Sequence, residues 1–114
     1  MESIRFIEPK DNVALAAVIR AALTEFGANK PGTVYFDPTT DQLFQLFETP
    51  GSVYYVAEKD NEILGGCGIF PTVGLPDKTC ELVKLYLAPS ARGTGLGKAL
   101  MLKAMAWAKE AGYE

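Results

Sequence analysis

The run Leu85-Tyr86-Leu87-Ala88-Pro89-Ser90-Ala91-Arg92-Gly93-Thr94-Gly95-Leu96-Gly97-Lys98 constrains this chain more than any other stretch. An apolar, strand-like segment stops at a proline. Three glycines alternate with other residues, and a helical pattern begins at once. Strand, glycine turn and helix N-terminus in that order build an anion site from backbone alone. The first N–H groups of a helix have no partner inside it, and the macrodipole adds about half a positive charge there. Glycines let a phosphate approach the backbone closely and allow the positive φ that such a turn needs. A phosphate-bearing ligand is the first expectation.

The rest of the composition narrows the field. At 114 residues the chain is one domain, with 48% apolar and 22% charged residues, ordinary for a globular fold. No apolar run approaches the roughly 20 residues of a membrane span, so no membrane partner is expected. Met1-Glu2-Ser3-Ile4-Arg5 lacks the basic start and apolar core of a signal peptide, so a cytoplasmic location is expected. Histidine is absent, which removes serine–histidine and cysteine–histidine mechanisms and most zinc sites. Cys67 and Cys80 fit no metal spacing and read as small buried hydrophobes, so no metal is expected.

Net charge is −3, which argues against nucleic acid as a partner. The distribution says more. No acidic residue lies between Glu81 and Glu110, yet Lys84, Arg92, Lys98, Lys103 and Lys109 all do. An acidic chain with a basic glycine-loop segment suits a local anionic ligand. A solvated basic helix face accounts for Lys103 and Lys109 equally well.

In chain order, Ile4–Ile7 reads as a first strand ended by Pro9, with Asp11 or Asn12 capping the following helix. Leu15, Val18, Ile19, Ala22, Leu23 and Phe26 form its apolar stripe, and Gly27 stops it. Residues 28–38 read as a loop. Thr39 or Thr40 caps a short second helix with Leu43, Phe44, Leu46 and Phe47. Residues 52–59 alternate as a strand, with Val53, Tyr55 and Ala57 on one side and Tyr54, Val56 and Glu58 on the other. Asp60-Asn61 is a tight turn into a return strand ending at Phe70. Gly65, Gly66 and Gly68 inside that strand are costly unless the strand bends or something approaches closely. Thr79 to Leu87 is a fourth strand, and Leu96, Leu100, Ala104, Trp107 and Ala111 mark the buried side of the last helix. Met101, Met105 and Ala108 widen that side to about half the helix surface. Gly112 ends it.

Spacing tests the known phosphate loops. The nucleoside-triphosphate loop needs a glycine where Arg92 stands and a hydroxyl where Ala99 stands. The dinucleotide fingerprint needs a glycine at Lys98 or Leu100, depending on register. Both fail. Arg92-Gly93-Thr94-Gly95-Leu96-Gly97 resembles the R/Q-x-x-G-x-G/A loop of the GNAT N-acetyltransferase superfamily, and Glu81–Pro89 resembles that family's fourth strand. The order of elements matches over nearly the whole chain.

The resemblance implies a mixed α/β (α+β) fold, a mostly antiparallel sheet flanked by helices, with residues 1–114 as a single domain truncated at its C-terminal end. It implies acetyl-CoA as cosubstrate. Its pyrophosphate would lie on the backbone around Gly93, Thr94, Gly95, Leu96, Gly97 and Lys98, and its acyl arm beside Leu85, Tyr86 and Leu87. Arg92 and Lys98 would add charge; a solvent-facing Lys98 is the alternative. Glu81 stands where some members carry a glutamate base, to act directly or through water; an exposed strand-end carboxylate or an ion-pair partner is the other reading. Strand alternation sets Glu81 on one face with Val83, Leu85 and Leu87, an apolar setting that would raise its pKa. An N–H of the fourth strand, at Leu87, would polarise the thioester carbonyl. The first two helices would wall the acceptor side, making Phe26, Asn29, Tyr35 and Phe36 candidate substrate residues, joined by Tyr54 or Tyr55 unless these are core. The acceptor would be a primary amine of a small molecule or amino acid.

Family members continue with a fifth strand, a fourth helix and a hairpin that this sequence does not contain. The expectation is therefore a fragment, or a site completed by another chain, as in a homodimer, with no turnover by these 114 residues alone. A non-catalytic acyl-CoA-binding or regulatory module is the alternative from another class.

Overall fold

A computed structural model describes residues 2–25, 27, 38–71, 79–91, 93 and 95–113. Four strands form one antiparallel sheet in sequence order: β1 (Glu2–Phe6), β2 (Val53–Lys59), β3 (Glu62–Phe70) and β4 (Glu81–Leu87). Helices α1 (Asn12–Glu25) and α2 (Leu43–Leu46) follow β1, and α3 (Leu96–Glu110) follows β4.

The two faces of β2 explain the layering. Val53, Tyr55 and Ala57 share one apolar cluster with Leu96, Leu100, Ala104 and Ala108 of α3. Tyr54 and Val56 share the other with Leu15 and Ile19 of α1 and Leu43 and Phe47. The expected division of β2 holds, and burial on both faces explains why its polarity hardly alternates. Each fully buried leucine or isoleucine contributes about 1.5–3 kcal/mol, so the helices hold the sheet from both sides. Met105 and Ala111 are exposed, so the buried stripe of α3 is narrower than half the helix. Beyond α3, the Tyr113 amide donates to the Ala108 carbonyl and the Gly112 amide to the Lys109 carbonyl, the paired bonds of a glycine-terminated helix end.

Two capping expectations need correction. Asp11 lies in a 3-10 turn, Pro9–Asp11, and its carboxylate accepts the Glu8 amide at 2.7 Å. The Asn12 side chain reaches α2 instead, where its Oδ1 accepts the Phe44 amide at 2.8 Å. Thr40 lies buried in a 3-10 turn, Pro38–Asp41, and α2 starts only after Gln42.

The β3 glycines are explained by close approach. A Cβ on Gly66 would fall on the Tyr54 ring, and one on Gly68 would lie 2.8 Å from both the Phe47 and the Tyr54 rings. Side chains there would push those rings out of the core. Cys67 between them is fully buried, and burial pushes its thiol up to about 11, which keeps it protonated and inert.

Candidate functional site

The site is the corner where β4 hands the chain to α3. The Ala88 amide donates to the Leu64 carbonyl at 2.7 Å and ties the end of β4 to β3. Pro89–Ala91 form a 3-10 turn, and Ala91 is buried in the core beneath α3. The turn region is therefore anchored. Gly93 and Gly95 follow, both exposed, with φ of +76° and +84°. That conformation costs an L-residue about 1–2 kcal/mol, so the backbone favours glycine there. A Cβ on either would meet nothing within 4 Å, so the space beside the loop is open.

Gly95 is the N-cap of α3, and the first intrahelical bond runs from the Ala99 amide to the Gly95 carbonyl at 3.1 Å. The amides of Leu96, Gly97 and Lys98 thus have no acceptor inside the helix. Gly95 offers no side-chain cap, and the first turn carries no acidic residue. Most helix starts satisfy these donors with a serine, threonine or aspartate. This one has no such side-chain cap, on a helix of 15 residues, and a start of that kind is chemically suited to an anion. Gly97 also lies against Leu87: a Cβ there would sit 3.2 Å from Leu87 Cδ1, so glycine keeps helix and strand close.

The predicted cosubstrate residues divide accordingly. Leu85, Tyr86, Leu87, Gly93, Gly95, Leu96, Gly97 and Lys98 lie together along this corner. Arg92 and Thr94 fall outside the described residues, as do the substrate candidates Phe26, Asn29, Tyr35 and Phe36. Tyr54 and Tyr55 are 1% and 6% exposed and belong to the core. Lys98 is exposed, while Lys103 lies with its Nζ 5.9 Å from the centre of the Tyr55 ring, which accounts for it without a ligand.

The facing of β4 departs from simple alternation. Val83 pairs with Gly68 and Tyr86 with Gly66, so two β4 residues, Lys84 and Leu85, stand opposite Cys67 alone. This is a β-bulge, and Lys84 sits in it with φ +52°. The bulge reverses the facing beyond it. Val83 and Tyr86 pack toward α1 and α2, whereas Leu87 packs toward α3. Glu81, two residues before Val83, shares the α1 and α2 face, and it is exposed at the strand's start. The expected single face of Glu81, Val83, Leu85 and Leu87 is therefore corrected. The signal was faint: a glycine-rich β3 opposite β4 hints at bulging, but the register that locates it is not in the local sequence.

Two concavities lie away from the corner. One, about 860 Å³, opens between β4 and the C-terminal half of α3, with Ile69, Cys80, Leu82, Met105, Ala108 and Tyr113 among its lining. The other, about 290 Å³, is bordered by Phe6, Phe44, Phe47, Tyr54 and Trp107. Among the described residues, no group of three or more histidine, cysteine, aspartate or glutamate side chains could hold a metal. No described helix is long and apolar enough to cross a membrane.

A four-stranded antiparallel sheet whose last strand runs through a glycine corner into an uncapped helix, with helices on both faces, is a mixed α+β fold. The chain belongs to the acetyltransferase (GNAT) family, whose model matches residues 15–114. It is 43% identical over 113 residues to the uncharacterized N-acetyltransferase YjgM of Escherichia coli K12, covering 97% of this chain and 67% of that protein. The fold matches a predicted acetyltransferase with acetyl-CoA from Clostridium acetobutylicum at TM-score 0.79 and 21% identity, over 100% of this chain and 77% of that one. It also matches the PaiA N-acetyltransferase of Thermoplasma acidophilum in complex with coenzyme A. There the TM-score is 0.74 and the identity 20%, over 98% and 74% of the two chains.

Proposed function

We propose that this chain binds acetyl-CoA at the β4–α3 corner and transfers the acetyl group to the primary amine of a small molecule or amino acid. The observation that carries the reading is the uncapped start of α3, with Gly95 at φ +84° and open space beside Gly93 and Gly95. It suits a pyrophosphate held by the Leu96, Gly97 and Lys98 amides. Family membership and the coenzyme A complexes of proteins with the same fold support the same ligand.

In this reading the backbone of Leu85, Tyr86 and Leu87 guides the acyl arm along the edge strand, as an added strand would. The amine nitrogen bonds to the carbonyl carbon, the C–S bond breaks, and the amine gives up a proton while the thiolate takes one. Glu81 receives the amine proton, directly or through water, from the face that α1 and α2 also occupy. Counted along β3 at about 3.3 Å per residue, Glu81 opposite Phe70 lies about 17 Å from Leu87 opposite Gly65 but about 10 Å from the bulge opposite Cys67 that holds Leu85. The carbonyl polariser in the proposal is therefore the Leu85 amide rather than that of Leu87. No side chain is assigned as the donor to the thiolate. A cationic acceptor suits the net charge of −3, and we place the reaction in the cytoplasm.

Calorimetry with acetyl-CoA, with Gly95→Trp as the blocked control, tests the binding step. Wild-type binding that Gly95→Trp abolishes is the expected result; no binding of any CoA species sinks the reading. CoA release with a panel of amines separates a transferase from a binding module. The expectation that these 114 residues alone do not turn over rests on the family resemblance, and the same assay tests it.

A further inference from the structure

Tyr54 is 1% exposed, yet it carries a polar hydroxyl into the core beneath β4. Its ring lies over the bare backbone of Gly66 and Gly68, held from the side by Phe47 with ring centres 5.0 Å apart. From there its Oη donates a hydrogen bond of 2.9 Å to the Lys84 carbonyl. The ring thus crosses β3, and the hydroxyl reaches the bulge of the next strand. Burial pushes the Tyr54 hydroxyl well above its ordinary range, so it remains protonated and a donor.

The Lys84 carbonyl belongs to the same peptide unit as the Leu85 amide. In a trans peptide the C=O and N–H point in opposite directions. A carbonyl turned back across the sheet toward Tyr54 therefore aims the Leu85 N–H away from the Tyr54 hydroxyl. Lys84 and Leu85 are the two bulge residues opposite Cys67, outside the regular β3 register that would otherwise orient this peptide. The left-handed backbone at Lys84 is also unfavourable for a side chain with a Cβ, so it needs a holding partner.

We propose that Tyr54 is a positioning residue for acetyl transfer: its hydroxyl holds the Lys84–Leu85 peptide so that the Leu85 N–H meets the thioester carbonyl. The proposal rests on the acetyl-CoA reading of the β4–α3 corner. It assigns a role to the otherwise unexplained buried hydroxyl and to the paired glycines that admit its ring. A donor hydrogen-bonded through its own peptide carbonyl is also polarised, which strengthens the bond it makes.

The test compares acetyl-CoA with CoA, which shares the pyrophosphate and pantetheine but lacks the acetyl carbonyl. Calorimetry on the wild-type chain and Tyr54→Phe is expected to show acetyl-CoA affinity falling about tenfold, with CoA affinity unchanged within twofold. A purely structural role would move both ligands together or neither. A Lys84→Gly background relieves the left-handed strain, so the turned peptide needs less holding and Tyr54→Phe is expected to cost less than threefold there. If Tyr54→Phe does not fold alone, recovery of acetyl-CoA binding on adding Lys84→Gly is the expected result, and no recovery overturns the proposal. Equal losses for both ligands, an unchanged acetyl-CoA affinity, or a full loss in the Lys84→Gly background each overturn it as well. A wild-type chain that binds no CoA species overturns the acetyl-CoA reading itself, and this proposal with it.

Discussion

Arg5 grips Asp11 with two hydrogen bonds, Nη1 to Oδ2 at 2.8 Å and Nη2 to Oδ1 at 2.9 Å, although Asp11 is only 2% exposed. The same guanidinium reaches Glu58 on β2, Nε to Oε1 at 2.9 Å. One arginine thereby ties β1 to the turn entering α1 and to the neighbouring strand. A buried carboxylate so held is stable only while its partner remains. Asp11→Asn is expected to lower the unfolding free energy by about 3 kcal/mol, because Arg5 loses its most buried, two-pronged charged partner and keeps only the more exposed Glu58 and Glu8. Urea unfolding measures this, and a loss below about 1 kcal/mol would show the pair to be incidental.

Acid should act through the same group. Burial pushes the Asp11 carboxyl up, but the Arg5 hydrogen bonds and the Glu8 amide outweigh it and hold the carboxyl below its ordinary value. The hydrogen bond from Arg5 lowers Glu58, and that from Arg20 lowers Asp41. A carboxyl lowered on folding adds stability above its unfolded pKa, about 4 for these side chains, and loses it as pH falls through the folded value. Melting temperature is expected to be flat above about pH 5 and to drop below about pH 4. The drop should be smaller in Asp11→Asn. An equal drop in both proteins would assign the acid sensitivity elsewhere.

Gly66→Ala places a methyl on the Tyr54 ring, and Gly68→Ala places one against Tyr54 and Phe47. Both rings are buried and have nowhere to retreat. Each substitution is expected to cost about 1–3 kcal/mol from overpacking, read as a lower urea midpoint at unchanged slope. Tolerance of both would mean that the Tyr54 ring is free to shift.

Gly95→Ala tests the corner. With φ at +84°, alanine carries the left-handed penalty and sets a methyl beside the free amides of α3. Acetyl-CoA affinity is expected to fall about tenfold, with the melting temperature changed by only a few degrees. Calorimetry and thermal unfolding on one preparation give both readings.

Glu81→Gln separates chemistry from binding. If Glu81 takes the amine proton, kcat, read in whichever form of the protein the amine panel shows to turn over, should fall about a hundredfold while the dissociation constant of acetyl-CoA stays the same. A parallel loss of binding would make Glu81 a structural residue of the strand's start.

Much of this protein was legible in its residues because local physics specifies it. The Asp60-Asn61 turn appears where expected, with φ of +53° and +68°. Gly95 starts α3 and Gly112 follows its end, since both need positive φ. The two faces of β2 follow from side-chain alternation alone. The corner between β4 and α3 is a local motif, so its glycines, strand and helix are written in consecutive residues.

Register was beyond local reach. A tight turn at Asp60-Asn61 with regular pairing would set Tyr54 opposite Cys67, but an extra residue near Leu64 shifts the partner to Gly68. A second irregularity, opposite Cys67, breaks the alternation of β4 and separates Leu87 from the face of Glu81. Both irregularities depend on how β2, β3 and the helices pack. A one-residue slip exchanges the faces of a strand, and only the fit of the buried rings between layers decides which slip is taken. The sequence by itself determined the glycine corner and the elements that flank it. The tertiary structure decided that the Tyr54 hydroxyl meets the Lys84 carbonyl, because only packing brings a β2 side chain across β3 to a peptide of β4.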